Sequence, residues 1–170
     1  FGANPEIVHG INFLPITGGS LYLGRWPDYV RKNYAALLVE NRAADLAAAV
    51  GQNRDSSVGD GSHFDQWADV LWMYRALADP VGALQAWTSR SADFKPEAGN
   101  SLAQTYAWIA ALRDLGLIDR SVSADTPFAA VFLKDGQRTH VAWNLAAVPR
   151  EVVFSDGVRL VCPARGQVMQ

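Results

Sequence analysis

The pattern of apolar residues changes period once along this chain, and that change limits the folds open to it. From Pro27 to about residue 116 the apolar residues recur at helical spacing, segment after segment, with no alternating stretch between them. After Asp125-Thr126-Pro127 they alternate instead. A-A-V-F-L and R-T-H-V-A-W-N flank Lys134-Asp135-Gly136-Gln137, and R-E-V-V-F and V-R-L-V-C-P flank Ser155-Asp156-Gly157. Each reads as a β-hairpin closed by an Asp-Gly turn. Thr139, Val141 and Trp143 are expected to share one face. Helices in sequence followed by hairpins in sequence predict a mainly α chain: stacked helices over residues 1–120, then an antiparallel β-meander of about four strands over 125–170.

Within the helical part, Pro27 suits a first helical position, and Tyr29, Val30, Tyr34, Leu37 and Leu38 follow at helical spacing. The alanine-rich run from Arg42 continues that helix or forms a short second one, with Gly51 as its stop. A polar loop over 52–61 leads to Ser62 and Asp65, a capping-box pattern, and to a helix from His63 to Ala78 that is apolar nearly all round. Asp79-Pro80 closes it and caps the next, through Leu84 and Trp87, with loop from Ser89 to Asn100. Ser101 and Gln104 form a second capping box, opening a helix with Leu102, Tyr106, Ile109 and Leu112 inward and Gly116 as its stop.

One stretch fits neither period. Glu6 to Gly24 reads E-I-V-H-G-I-N-F-L-P-I-T-G-G-S-L-Y-L-G, with glycines and a proline that break regular elements. Ile7, Val8, Ile11, Phe13, Leu14, Ile16, Leu21 and Leu23 are too apolar for a solvated loop, so the stretch is expected to thread the interior and line or fasten a cleft.

Composition narrows the function classes. The net charge of −2 gives no electrostatic reason for a nucleic-acid or anionic-membrane partner. No apolar run reaches the roughly 20 residues of a membrane span. Cys162 is the single cysteine and no Cys/His cluster has zinc spacing. Six tryptophans and five tyrosines are many for 170 residues and suit the flat faces of sugars, although most aromatics serve as core. The chain begins at Phe1 inside an apolar segment and reads as a piece of a longer protein. A piece cut from a helical body is expected to expose an apolar face over 27–116, the helix of residues 64–78 included.

Candidate chemistry is sparse. Glu6 is either an acceptor for a sugar hydroxyl or a buried carboxylate that holds its segment, and His9 reads as a hydrogen-bonded core histidine. Asp65 and Asp69, at i and i+4, suit a sugar subsite beside Trp72 or simply the positive end of a helix. His63 is expected to be exposed. Tyr22 and Trp26 either stack on a sugar ring or pack. Gly18-Gly19 lacks the G-K-[ST] of a phosphate loop, and neither G-x-S-x-G nor H-E-x-x-H is present.

Taken together, the Glu6–Gly24 stretch resembles the E-Y-I-H-G-I-x-x-L-P-x-T segment of glycoside hydrolase family 81, the endo-β-1,3-glucanases. F-D-Q-W-A-D-V-L-W-M-Y-R-A-L-A-D-P and G-N-S-L-A-Q-T-Y-A-W-I-A-A-L are similar to two helices of that family, in the same order, and the tail is similar to the end of bacterial members. The resemblance covers nearly the whole chain. It implies an inverting hydrolase of β-1,3-glucan on an (α/α) toroid behind an N-terminal β-sandwich, extracellular, using no metal or organic cofactor. The family's acid and base precede the E-x-x-H-G-I segment, so no catalytic residue is expected in this chain, which would be the C-terminal portion working with missing N-terminal domains. Glu6 and His9 are carried over as cleft residues and Asp69 by position; Tyr22 and Trp26 stay candidate sugar contacts on residue type alone. The rival readings are a non-catalytic glycan-binding or scaffolding module and a toroid glycosidase acting on another glucan.

Overall fold

Pro27 starts a helix as its fixed φ favours, and the helix runs unbroken through the alanine-rich segment to Ala49. The computed structural model describes residues 5–49, 67–90, 92, 94–96 and 98–170. Among them are five α-helices: α1 (Pro5–Gly10), α2 (Pro27–Ala49), α3 (Ala68–Ala76), α4 (Pro80–Arg90) and α5 (Leu102–Leu115). The expected stop at Gly51, the polar loop, the Ser62/Asp65 cap and His63 lie outside the described residues. The chain divides into two compact units, one up to Arg113 and one from Asp114.

In the first unit the core is α3 with the inner faces of α2 and α5. Val30, Tyr34 and Leu37 of α2, Val70 to Tyr74 of α3, and Ile109 and Leu112 of α5 are all buried. Trp67 takes a left-handed conformation (φ 57°) at the N-cap, and the helix begins at Ala68; residues 63–66 of the expected helix lie outside the described residues. Asp79 caps α4, its Oδ1 accepting from the Gly82 amide at 2.9 Å, and α4 extends into the stretch read as loop, to Arg90. Ser101 caps α5 through the Gln104 amide (3.1 Å). The return half of that box is not formed, because the Gln104 side chain donates instead to the Ile16 carbonyl (3.4 Å).

Two burial expectations are corrected. On α5 the inward row is Thr105, Ile109 and Leu112, while Tyr106 is 43% exposed; the Thr105 hydroxyl finds a buried partner, which a period count of apolar letters overlooks. On α3 every residue except Arg75 is buried, so the apolar surface of this unit is not there. Among the described residues of 27–116 it is carried by Tyr29, Val39, Val81 and Tyr106 on α2, α4 and α5.

The second unit holds six strands: β1 (Leu117–Ile118), β2 (Ala129–Lys134), β3 (Gln137–Asn144), β4 (Arg150–Val153), β5 (Arg159–Cys162) and β6 (Gly166–Met169). They form two antiparallel sheets, β1-β2-β3-β6 and β4-β5, in place of one meander of four. Asp135 and Gly136, both at positive φ (51° and 80°), make the tight turn between β2 and β3. The short flanking strands β1 and β6 were too brief for an alternation to register. The core between the sheets is Val131, Ala142, Val152, Phe154, Leu160 and Cys162. It takes the Ala142 side of β3, so Thr139, Val141 and Trp143 lie on the sheet's other face.

A polar cluster fastens one edge of this unit. Asp119 accepts from the Ser121 hydroxyl (2.6 Å) and amide (2.9 Å) and from Arg138 Nε (2.8 Å). Arg138 also reaches Asp156 (3.8 Å), whose carboxylate accepts from Nε2 of the buried His140 ring at 2.9 Å. The hydrogen bond from Ser121, then that from Arg138, holds the Asp119 carboxyl down at about 2. Its folded pKa thus lies below the ordinary 3.8, so its contribution is complete above pH 4 and is lost as pH falls toward 2. Asp119→Asn should lower stability at neutral pH by about 1 kcal/mol, solvent screening of Arg138 included, and flatten the acid limb between pH 4 and 2. Thermal melts across that range check this; an acid limb as steep as the parent's would refute it.

Candidate functional site

The Glu6–Gly24 stretch is helical after all, in three pieces. α1 is followed by a 3₁₀ turn at Ile11–Phe13 and, beyond a cis Leu14–Pro15 bond, by a second 3₁₀ run at Gly18–Arg25. Thr17 and Ser20 cap the second run reciprocally: Gly19 N donates to Thr17 Oγ1 (3.2 Å) and Thr17 N to Ser20 Oγ (3.1 Å). Local side-chain bonds of this kind give a glycine-rich segment a helical exit that its apolar spacing does not announce.

Of its apolar residues only Ile16 is buried; Val8 and Ile11 are about 40% exposed and the others half-buried or exposed. The stretch therefore lies along the surface of its unit rather than through the interior. It is nonetheless well fastened. Phe13 stacks on Tyr74 (centroids 4.0 Å apart, 11° between planes), and Tyr74 accepts from Asn33 at 3.1 Å. Gly10 lies so near the Trp67 side chain that a Cβ there would stand 3.0 Å from it.

The sequence candidates separate into two sets. Tyr22 (61% exposed), Trp26 (60%) and their neighbour Tyr29 (65%) are open to solvent. Trp26 ends the second 3₁₀ run and precedes Pro27, which keeps it out of the helical region (φ −127°, ψ 71°). His9 is also accessible and meets Glu40 of α2 at 2.9 Å, so its partner is neither Glu6 nor the core.

Glu6 and Asp69 form the second set, 1% and 0% exposed. Asp69 sits in the first turn of α3 and accepts from Asn100 Nδ2 at 2.7 Å, and the same amide reaches Thr105 Oγ1 (3.1 Å). The carboxylate thus ties α3 to the loop before α5. The Asp65 half of the i, i+4 pair lies outside the described residues.

Glu6 lies by a cluster that spacing alone did not single out. Tyr34 is buried, with the Arg75 guanidinium 5.3 Å from its ring centroid. Burial pushes the Tyr34 phenol up; Arg75 opposes this, and Asp79 and Glu6 add to it. Arg75 in turn binds Asp79 Oδ2 through Nε (3.0 Å) and Nη2 (2.6 Å). Burial raises the Asp79 carboxyl, but the Gly82 amide and Arg75 outweigh it and leave its pKa below the usual value. The i, i+4 spacing of Arg75 and Asp79 was the available signal. Tyr34, Arg75 and Asp79, with Val30 and Leu38, line a pocket of about 250 Å³ that none of the sequence candidates enters.

This arrangement positions aromatic faces at the surface and keeps carboxylates inside, which suits holding a ligand rather than moving protons. Glu6→Gln should accordingly lower stability by about 1–3 kcal/mol, since a buried charge loses its matched surroundings. Thermal melting of the 170-residue chain tests it, and an unchanged melt would return Glu6 to the ligand-facing set. No cluster of three or more metal-ligating side chains occurs among the described residues.

No protein-family profile matches the chain. It is 40% identical over 159 residues to a glucan endo-1,3-β-D-glucosidase of Thermobifida fusca, a match covering 94% of the chain and 18% of that protein. Against a protein of the same name from Acetivibrio thermocellus it is 42% identical over 156 residues, 92% of the chain and 17% of the relative. The solved structure of a glycoside hydrolase family 81 enzyme from Clostridium thermocellum, a point mutant, superposes with a TM-score of 0.81 at 38% identity, covering 100% of this chain and 21% of that one. In sequence and fold the chain is thus similar to about a fifth of the length of these relatives and of the family 81 structure.

Proposed function

We propose that this chain is the C-terminal portion of an extracellular endo-β-1,3-glucanase that cleaves β-1,3-glucan with inversion, and that it contributes the last helices of an (α/α) toroid. The observation that carries the reading is a match of about 40% identity spread over more than nine-tenths of the chain, to relatives named as glucan endo-1,3-β-D-glucosidases. Inversion needs an acid and a water-activating base roughly 6.5–9.5 Å apart. The buried Glu6 and Asp69 do not suit that work, so acid and base belong to the other four-fifths of such an enzyme. Tyr22 and Trp26 are the residues this chain offers to the sugar, with His9 beside them, and Glu6 and Asp69 hold the wall that presents them.

The test is hydrolysis of laminarin by the full-length parent, with the anomer of the first product followed by NMR. Turnover giving the inverted anomer is expected, and none by the 170-residue chain alone. Hydrolysis by that chain, purified, would overturn the assignment of acid and base to the remainder. A parent that binds laminarin without cleaving it would favour the glycan-binding module.

A further inference from the structure

The β unit has a pocket of its own, of about 440 Å³, lined by Trp143, Asn144, Leu145, Arg165, Gly166 and Gln167. Its size falls within the range of small-ligand sites. Its floor is the end of β3 against the start of β6, where Trp143 pairs with Gln167 and Asn144 with Gly166. Its walls are the two loops that leave those strands, and one buried side chain secures both. The Asn144 amide nitrogen donates to the carbonyls of Val148 (2.7 Å), Pro163 (3.1 Å) and Cys162 (3.3 Å), and its Oδ1 accepts from the Ala146 amide (3.0 Å). The Arg165 amide then bonds the Ala146 carbonyl at 2.9 Å, joining loop to loop. Arg165 holds φ 48°, a conformation that disfavours any side chain except glycine's. The walls are therefore set before any ligand arrives.

The chemistry of the lining selects the ligand. Trp143 and Leu145 offer apolar surface, Leu145 being 70% exposed. Arg165 adds a planar fork of donors, and Gln167 adds both a donor and an acceptor. No carboxylate lines the pocket, which argues against a cation, and one exposed arginine among apolar walls is a poor cage for an anion. A ring with apolar C–H faces and a rim of hydroxyls uses every group present. β-Linked glucose, with its substituents equatorial, is such a ring.

We propose that this pocket is an auxiliary glucan-holding site, taking a glucose unit of a β-1,3-glucan chain on Trp143 with its hydroxyls met by Arg165 and Gln167. The proposal rests on the glucanase reading above for the choice of sugar. It adds a binding site on the sheet, separate in sequence from Tyr22 and Trp26.

The test is titration of the ¹⁵N-labelled 170-residue chain with laminarihexaose, with maltohexaose and sodium phosphate as parallel probes. The expected result is saturable shifts at the Trp143 indole N–H and at the Arg165 and Gln167 amides, with laminarihexaose alone. Arg165→Ala and Gln167→Ala alter exposed side chains, and a dispersed spectrum verifies the fold of each. Each should weaken binding about 2–10-fold. Absence of shifts at these residues, shifts confined to the Tyr22–Trp26 region, or an equal response to maltohexaose or to phosphate would each overturn it. If the parent fails to cleave laminarin while these shifts persist, the glucanase reading falls and the site stands. If the parent cleaves laminarin and the shifts are absent, the site falls alone.

Discussion

Gly116→Ala will destabilise the second unit by about 3–5 kcal/mol, far more than an ordinary glycine substitution at a turn. Gly116 follows α5 at φ +93°, the left-handed exit that lets the chain leave the helix and enter β1 one residue later. An L side chain there costs about 1–2 kcal/mol for the conformation alone. The larger part is steric. A Cβ on Gly116 would run into the carbonyl carbon and oxygen of Leu133 and the Cβ of Lys134. Those are backbone and near-backbone atoms of β2, paired with β1 through Leu117↔Leu133, so they cannot yield as the tip of a long side chain would. Gly136 supplies the control. It also has positive φ (+80°), but nothing lies within 4 Å of where its Cβ would be. Gly136→Ala should therefore cost only the conformational part, about 1–2 kcal/mol. Denaturant melts of the two variants, followed by near-ultraviolet circular dichroism, compare them directly. Equal losses would mean that the Leu133 contact carries no weight.

Those two glycines also mark what the sequence made legible. Gly116 ends an apolar period of 3.6 and Gly136 centres an Asp-Gly turn, so both came out of punctuation and periodicity alone. Pro27 and Asp79-Pro80 did likewise, because caps act within three residues of themselves. What stayed hidden depended on partners distant in sequence. The 3₁₀ run after Gly18-Gly19 exists because Thr17 and Ser20 bond across it. Thr105 turns inward because the Asn100 amide and the Met73 sulfur meet it there. β1 and β6 are two and four residues long, too short for an alternation to be counted, and they form because β2 and β3 present open edges. The candidate site divides the same way. Residue type left Tyr22 and Trp26 open between stacking on a sugar and packing, and both are exposed. Residue type did not separate an acid that faces a ligand from an acid that holds a core, since both uses put a carboxylate among aromatics.

Asp69 is where that ambiguity can be resolved by experiment. Its side chain is fully enclosed, and its Oδ2 takes the shortest of the hydrogen bonds made by the Asn100 amide, 2.7 Å against 3.1 Å to Thr105 Oγ1. Asp69→Ala removes a charged acceptor, worth roughly 1.5–3 kcal/mol per hydrogen bond, and leaves the half-buried Asn100 amide short of a partner. Some of that loss is recovered because a buried charge no longer needs its surroundings. The expected net is a destabilisation of about 2–4 kcal/mol in the 170-residue chain, visible as a lowered Tm. In the full-length parent, assayed well below its melting temperature, kcat/KM on laminarin should change by less than about threefold, because an enclosed side chain makes no contact with the transition state. Tyr22→Ala should show the opposite balance, a nearly unchanged Tm with kcat/KM reduced about tenfold, since an exposed ring contributes to binding and little to packing. If Asp69→Ala instead lost activity in proportion to Tyr22→Ala while keeping its Tm, the enclosed carboxylate would have to open to the sugar during turnover, and Asp69 would be a ligand-facing residue of the cleft.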